Sequence, residues 1–250
     1  MIELKELCCG YGKKEVVSGV NEKIEGGSIT SIVGPNGCGK STLLETAAGL
    51  MSPISGSVII NGQDIHGMKP KKRAELVSVL SQQKNPGMLT VRALTFHGRF
   101  PYLGYPRKYT ERDYDIVEKA METAGVSDIA NKSLSELSGG QQQKAYIAMM
   151  LAQDTEIVFM DEPVTFLDIN YQLELMEIIK DMKKNGKTIV MIIHDLNLAM
   201  RYSDKIIAMK NGKTVCSGRP EEIYEKGIFD GIFGIRTHFS GDDGQFFFTK

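Results

Sequence analysis

Ser28-Ile29-Thr30-Ser31-Ile32-Val33 runs directly into Gly34-Pro35-Asn36-Gly37-Cys38-Gly39-Lys40-Ser41-Thr42, and that loop into Leu43-Leu44-Glu45-Thr46-Ala47-Ala48. The first segment is a short apolar β-type run. The last places Leu43, Leu44, Ala47 and Ala48 on one face of a helix predicted over residues 41–50. Between them, Gly34, Gly37 and Gly39 allow sharp turns that point backbone N–H groups inward. Lys40 sets a fixed positive charge beside those groups, Ser41 adds a hydroxyl, and the N-terminus of the helix favours an anion. Strand, glycine loop and helix in this order are the context of a phosphate-binding loop. The plain alternative is a glycine turn with a coincidental lysine, but every fixed position of the motif is filled.

Outward from this loop, apolar strands alternate with helical spacing. Strands are predicted over 2–7, 16–24, 57–60 and 77–80, with a helix over 70–76. Further on, helices over 141–152, 172–184 and 196–202 alternate with buried strands over 156–160 and 188–193. Strands over 205–209 and 213–217 flank an Asn211-Gly212 turn, and a last strand is expected over 245–249. That alternation specifies an α/β core with a largely parallel sheet. From 83 to 135 the apolar β-runs stop and Pro86, Pro101, Pro106 and several aromatics punctuate the chain. Thr110 there reads as an N-cap completed by Asp113, followed by Tyr114, Val117, Met121 and Ala124 at helical spacing. The expected organisation is one domain: a nucleotide-binding core over 1–82 and 136–250, and an inserted helical lobe over 83–135.

Leu137-Ser138-Gly139-Gly140-Gln141 is a second turn of small residues that opens a helix. The 34–42 loop can hold a nucleoside triphosphate unaided. A second such turn is redundant unless it grips a phosphate bound by another subunit, so the sequence predicts a site shared between two chains. Ile157-Val158-Phe159-Met160-Asp161-Glu162 is an apolar strand with two carboxylates at its end, the edge where ligands bind in open α/β sheets. Asp161 is placed to hold Mg²⁺ and Glu162 to orient an attacking water; a cation relieves their mutual repulsion. Taken alone the pair would read as a solvated acidic turn. His194-Asp195 ends the next buried strand, where an imidazole can reach a γ-phosphate or the attacking water; the plain alternative is a structural histidine. Tyr11, on a loop between Gly10 and Gly12, can stack on a purine or serve as an ordinary turn aromatic. His66, His97 and His238 read as surface or packing residues.

Composition narrows the rest. The chain has 250 residues, 42% hydrophobic and 24% charged, with a formal net charge of −1. That balance suits a sizeable core and lacks the basic footprint of a nucleic-acid partner. Cys8, Cys9, Cys38 and Cys216 show no zinc spacing and read as buried free thiols in a reducing compartment. The N-terminus is too charged for a signal peptide and the apolar runs are too short to span a bilayer, so a cytosolic protein is expected whose membrane role needs a membrane partner.

Together these residues resemble the ATP-binding cassette (ABC) ATPases over nearly the whole chain. Tyr11 matches the adenine-stacking loop, residues 34–42 the Walker A motif, and Gln82 the Q-loop, with Gln83 directly after it as the alternative. Residues 137–141 match the family signature, Met160-Asp161-Glu162 Walker B, Phe166-Leu167-Asp168 the D-loop, and His194 the switch histidine. The resemblance implies a P-loop NTPase fold: a mostly parallel sheet with flanking helices, an antiparallel β subdomain and an inserted α-helical subdomain. It implies ATP and Mg²⁺ as ligands, with Ser41, Gln82 and Asp161 around the metal and Lys40, Glu162 and His194 in catalysis. It also implies a head-to-tail homodimer of cassettes in which Ser138, Gly139, Gly140, Gln141 and Asp168 serve the partner's ATP.

Thr90-Val91-Arg92, Gly98-Arg99-Phe100-Pro101 and Thr165-Phe166-Leu167-Asp168-Ile169 further resemble the ATPases of importers for iron–siderophore, haem and cobalamin. Ser81, Val164 and Lys144 depart from the usual Pro, Thr and Arg without removing a catalytic group. The expected function is therefore ATP hydrolysis that drives import, at the inner face of the cell membrane. Integral permease subunits and an extracytoplasmic substrate-binding protein would complete the system. The rivals are a non-transport cassette that remodels a cytosolic complex, an exporter subunit, and a nucleotide-binding module without turnover.

Overall fold

The computed structural model describes residues 1–12, 14–81, 87–240 and 245–249. The chain opens with a hairpin, β1 (Ile2–Tyr11) and β2 (Lys14–Ile24), then β3 (Ile29–Val33) and helix α1 (Lys40–Ala47). Next come β4 (Ser55–Ile60), the short β5 (Gln63–Asp64), α2 (Pro70–Leu76) and β6 (Val77–Leu80). Three helices follow, α3 (Val91–His97), α4 (Glu111–Thr123) and α5 (Gly139–Gln153). After them lie β7 (Ile157–Asp161), α6 (Ile169–Lys184), β8 (Thr188–Ile192), α7 (Leu196–Tyr202), β9 (Lys205–Lys210) and β10 (Lys213–Gly218). The chain closes with α8 (Pro220–Glu225), α9 (Ile228–Phe233) and the ribbon β11 (Arg236–Ser240) and β12 (Gln245–Thr249).

The larger sheet has the order β10-β9-β3-β8-β7-β6, parallel throughout except for the edge strand β10. The smaller sheet, β2-β1-β4-β5, is antiparallel. Every residue of β3, β7 and β8 is buried, because a parallel sheet is covered on both faces. The alternation of side chains then divides two cores. Ile157, Phe159, Val190, Ile192 and Ile207 pack towards α1 and the antiparallel sheet. Val158, Met160, Ile189, Met191 and Ile206 pack on the other face with residues of α3 to α9. Ile32 pairs with Ile192 and Asp161 with Ile192. This register ends β3, β7 and β8 at one edge, so residues 34–42, Glu162 and His194 emerge side by side.

The predicted spans of α2, β6 and α7 agree with the structure, as does the Thr110–Asp113 capping box that opens α4. Two expectations are corrected, for Tyr11 and for the cysteines. β1 runs past residue 7 to Tyr11, bending at Glu6 (φ 45°), so Tyr11 ends a strand and pairs with Lys14 rather than lying on a loop. Tyr114 is half exposed although it shares the spacing of α4's buried face; its ring meets Phe96 edge-on at 5.0 Å. Cys9 and Cys38 are buried free thiols, but Cys8 and Cys216, also free, are only partly buried. α8, α9 and β11 are unforeseen.

Candidate nucleotide-binding and active site

Residues 34–42 wrap from the end of β3 to the start of α1. Gly34 has φ 155°, and a Cβ there would meet the Met209 carbonyl oxygen at 2.3 Å. Gly39 has φ 100°, and a Cβ there would strike Val17 at 2.6 Å. Only glycine fits at either position, since the loop is pressed against β9 on one side and β2 on the other. Lys40 is buried, and its Nζ donates to the Gly34 and Pro35 carbonyls at 2.9 and 3.0 Å. The ammonium is thus held inside the loop, beside the backbone N–H groups at the N-terminus of α1.

Asp161 is buried at the end of β7, and its Oδ1 has no hydrogen-bond partner among the described residues. Burial pushes its carboxyl up; the Glu162 charge adds to that, while the Ser41 hydroxyl and Lys40 oppose it. Burial and the charge of Asp161 also push Glu45 up, one turn along α1 from Ser41. An orphaned, electrostatically strained carboxylate beside a hydroxyl is an oxygen donor set that a hard divalent cation would satisfy.

Glu162 takes φ 52°, a strained backbone for a residue with a side chain. Its Oε1 lies 2.6 Å from His194 Nε2, and its Oε2 accepts from the Thr165 hydroxyl at 3.2 Å. Lys40, Ser41, Glu162 and His194 line one open cleft of about 470 Å³, together with Asn36, Gly37, Gly39 and Thr42. The arrangement offers amides and an ammonium for phosphates, and an oriented carboxylate–imidazole pair for water.

The second turn is elsewhere. Ser138 N-caps α5: its Oγ accepts from the Gln141 N–H, and Gln141 Oε1 accepts from the Ser138 N–H at 3.1 Å. Ser138 to Gln141 do not line the cleft, and neither does Asp168, whose Oδ1 caps α6 by accepting from Tyr171 N at 2.9 Å. Tyr11 is 59% exposed at the hairpin end. Gln82, and its alternative Gln83, lie outside the described residues, just past the end of β6.

Residues 17–165 match the family model described as ABC transporter. The chain belongs to the ABC transporter ATP-binding family. It is 41% identical to the ferric enterobactin transport ATP-binding protein FepC of Escherichia coli K12, over 93% of this chain and 86% of that protein. It is 40% identical to the petrobactin import ATP-binding protein YclP of Bacillus subtilis, over 98% of this chain and 97% of that protein. Among solved structures it resembles the dimeric ABC transporter cassette MJ0796, with a TM-score of 0.80, 30% identity, and 88% of this chain and 99% of that chain covered. A post-hydrolysis dimer of the same cassette, bound to ADP and Pi, superposes with a TM-score of 0.79 at 27% identity, over 88% of this chain and 99% of that one. The fold is that of a P-loop ABC cassette, and the protein is an ATP-binding ATPase. Among the described residues, no helix of the cassette is long and apolar enough to cross a membrane.

The cassette also uses residues that the sequence reading left unassigned. Thr165 steadies Glu162, and a threonine three positions after a carboxylate is a local signal that could have found it. Val16 walls the cleft from β2, which only the sheet packing reveals. Gln143 Nε2 donates to the Pro163 carbonyl at 2.6 Å, joining α5 to the loop that carries Glu162. Lys144 sits 3.4 Å from the centre of the Tyr171 ring, a cation–π contact between α5 and α6.

Proposed function

We propose that this cassette is the ATP-hydrolysing subunit of an importer for iron–siderophore chelates. Its relatives' names support that cargo: ferric enterobactin, petrobactin, achromobactin and iron(3+)-hydroxamate. The cassette would work as a head-to-tail pair at the inner face of the membrane, beneath integral permease subunits, with an extracytoplasmic binding protein delivering the chelate. Residues 1–82 and 136–250 would form the catalytic core and 83–135 the lobe that meets the permease.

The bond between Glu162 and His194 at 2.6 Å carries the mechanistic reading. ATP would lie in the 34–42 cleft with its adenine on Tyr11 and its β- and γ-phosphates on Lys40 and the loop amides. Asp161, through its orphaned oxygen, Ser41 and Gln82 would hold magnesium, which would supply positive charge against the phosphate oxygens. Glu162 would then orient the attacking water, held in place by Thr165. His194 would bridge that carboxylate to the γ-phosphate. Ser138, Gly139, Gly140 and Gln141 of the second copy would close over the same phosphate, with Asp168 linking the two sites across the interface.

The test is the cassette purified with its permease in lipid, with ATPase measured against binding protein loaded with siderophore, haem or cobalamin. Siderophore-loaded protein should stimulate turnover; stimulation by haem or cobalamin alone would reassign the cargo. Co-purification with a soluble complex and no permease would replace transport by remodelling.

A further inference from the structure

The stretch Gly98-Arg99-Phe100-Pro101 has no part in the mechanism above. It nevertheless occupies a demanding position. A Cβ at Gly98 would meet the Met149 carbonyl oxygen at 2.4 Å and Gln153 N at 2.9 Å, so the backbone after α3 lies directly on the last turns of α5. From there Arg99, itself buried, donates from Nη1 to the Ala152 carbonyl at 2.8 Å and from Nε to Asp113 Oδ1 at 2.9 Å. Asp113 completes the capping box of α4, and its other oxygen accepts from the Thr110 N–H and hydroxyl at 2.9 and 2.7 Å. Tyr102, whose ring lies 4.1 Å under the guanidinium, donates to the next carbonyl, Gln153 O, at 2.7 Å. Gln153 in turn donates from Nε2 to the Ala74 and Val77 carbonyls, at the junction of α2 and β6.

One guanidinium therefore joins α4 to the C-terminal end of α5, and Gln153 joins that end to the strand that leads towards Gln82. The N-terminal end of the same α5 is the Ser138 turn. A buried ion pair is a weak source of stability, because desolvation cancels most of the attraction; packed apolar residues would serve as well or better. What it adds is a single fixed arrangement of the groups it joins.

We propose that Arg99 is a positioning residue: through Asp113, Ala152 and the rigid length of α5 it sets the stance of the Ser138 turn, and hence turnover at the partner's ATP. This rests on the composite-site reading above. The test uses the cassette dimer with its permease and compares Arg99→Met, Ser138→Ala and the double variant. Arg99→Met should lower kcat about tenfold while leaving the ATP affinity of the isolated chain within about twofold. The double variant should be no slower than Ser138→Ala, because both changes disable one unit. Unchanged kcat, additive losses, or a fall in ATP affinity matching the fall in kcat would each overturn the assignment. Where Arg99→Met does not fold, Arg99→Lys and Asp113→Asn carry the same comparison, with the same direction expected and wild-type kcat counting against it. An unchanged kcat in Ser138→Ala alone would instead remove the composite site on which the assignment stands.

Discussion

The 34–42 cleft and the 138–141 turn are both glycine-rich and both open a helix, yet their glycines answer to different contacts. In the cleft, Lys40 is held by the Gly34 and Pro35 carbonyls and Glu162 by His194 and Thr165, and one buried Asp161 oxygen is left for a cation. Gly34 and Gly39 are compelled by contact, with backbone or side-chain atoms closer than 3 Å to the Cβ each lacks, and Gly37 by its φ of 75°. At the turn, Ser138 and Gln141 cap each other; Gly139 is not compelled by contact, while Gly140 is close-packed on a backbone oxygen. A Cβ on Gly139 would find only Phe166 at 3.9 Å, and one on Gly140 would lie 3.3 Å from the Phe166 carbonyl. Glycine in a helix is less stable than alanine by up to about 1 kcal/mol, so nothing inside the chain favours it at 139. Phe166, 79% exposed, lies against this turn.

The largest expected effect is at the cleft. Glu162→Gln keeps the shape but replaces one acceptor oxygen by an amide donor and removes the charge that orients water, so kcat should fall about a hundredfold or more. ATP binding should survive, and the variant should elute as an ATP-bound dimer on size exclusion; a monomeric, active variant would sink the mechanism. Next in size, Gly34→Ala and Gly139→Ala separate the two regions. Gly34→Ala should lose ATP binding and destabilise the fold, because its methyl group has no room against Met209. Gly139→Ala should unfold at the same or a higher temperature, with up to about 1 kcal/mol gained, yet lose about tenfold or more in kcat. Loss of stability and activity together in Gly139→Ala would mean that the turn serves its own chain.

How far such contrasts were legible in the sequence depends on the range of the interaction. Residues 34–42, Asp161, Glu162 and His194 stand at strand ends, and strand ends are read from apolar runs; the sheet register then assembles them. The Thr110–Asp113 cap and the spans of α2 and α7 are local and were equally legible. The reach of β1 to Tyr11 was not, since it depends on pairing with β2 and β4 through a bulge. Nor was the place of Arg99. Its partners Asp113 and Ala152 lie 14 and 53 positions away, and no periodicity links them. The sequence marked 98–101 by resemblance alone; Gly98 pressed against Met149 supplies the physical reason. Helices α8 and α9 escaped because they are short, with burial resting on Ile223 in one and on Phe229 and Ile232 in the other.

The smallest expected effects are on stability, at the Thr110–Asp113 cap of α4, which lies outside the cleft. Thr110→Ala removes the N-cap of α4 and should cost about 1 kcal/mol in chemical denaturation, with ATP affinity unchanged. Asp113 makes the pH dependence specific. Burial alone would push its carboxyl up, but the Thr110 N–H and hydroxyl and the Arg99 guanidinium outweigh burial and hold it below its ordinary 3.8. A carboxyl depressed on folding stabilises the protein above its unfolded pKa, and that contribution is lost as pH falls through the folded value. Wild type should therefore melt higher than Asp113→Asn at neutral pH, with the gap closing only below about pH 4. Thermal melts of the two proteins across that range decide it. A gap that closes near pH 6 would assign the difference to another group, and a gap that persists into strong acid would show that the carboxylate's charge is not what holds Arg99.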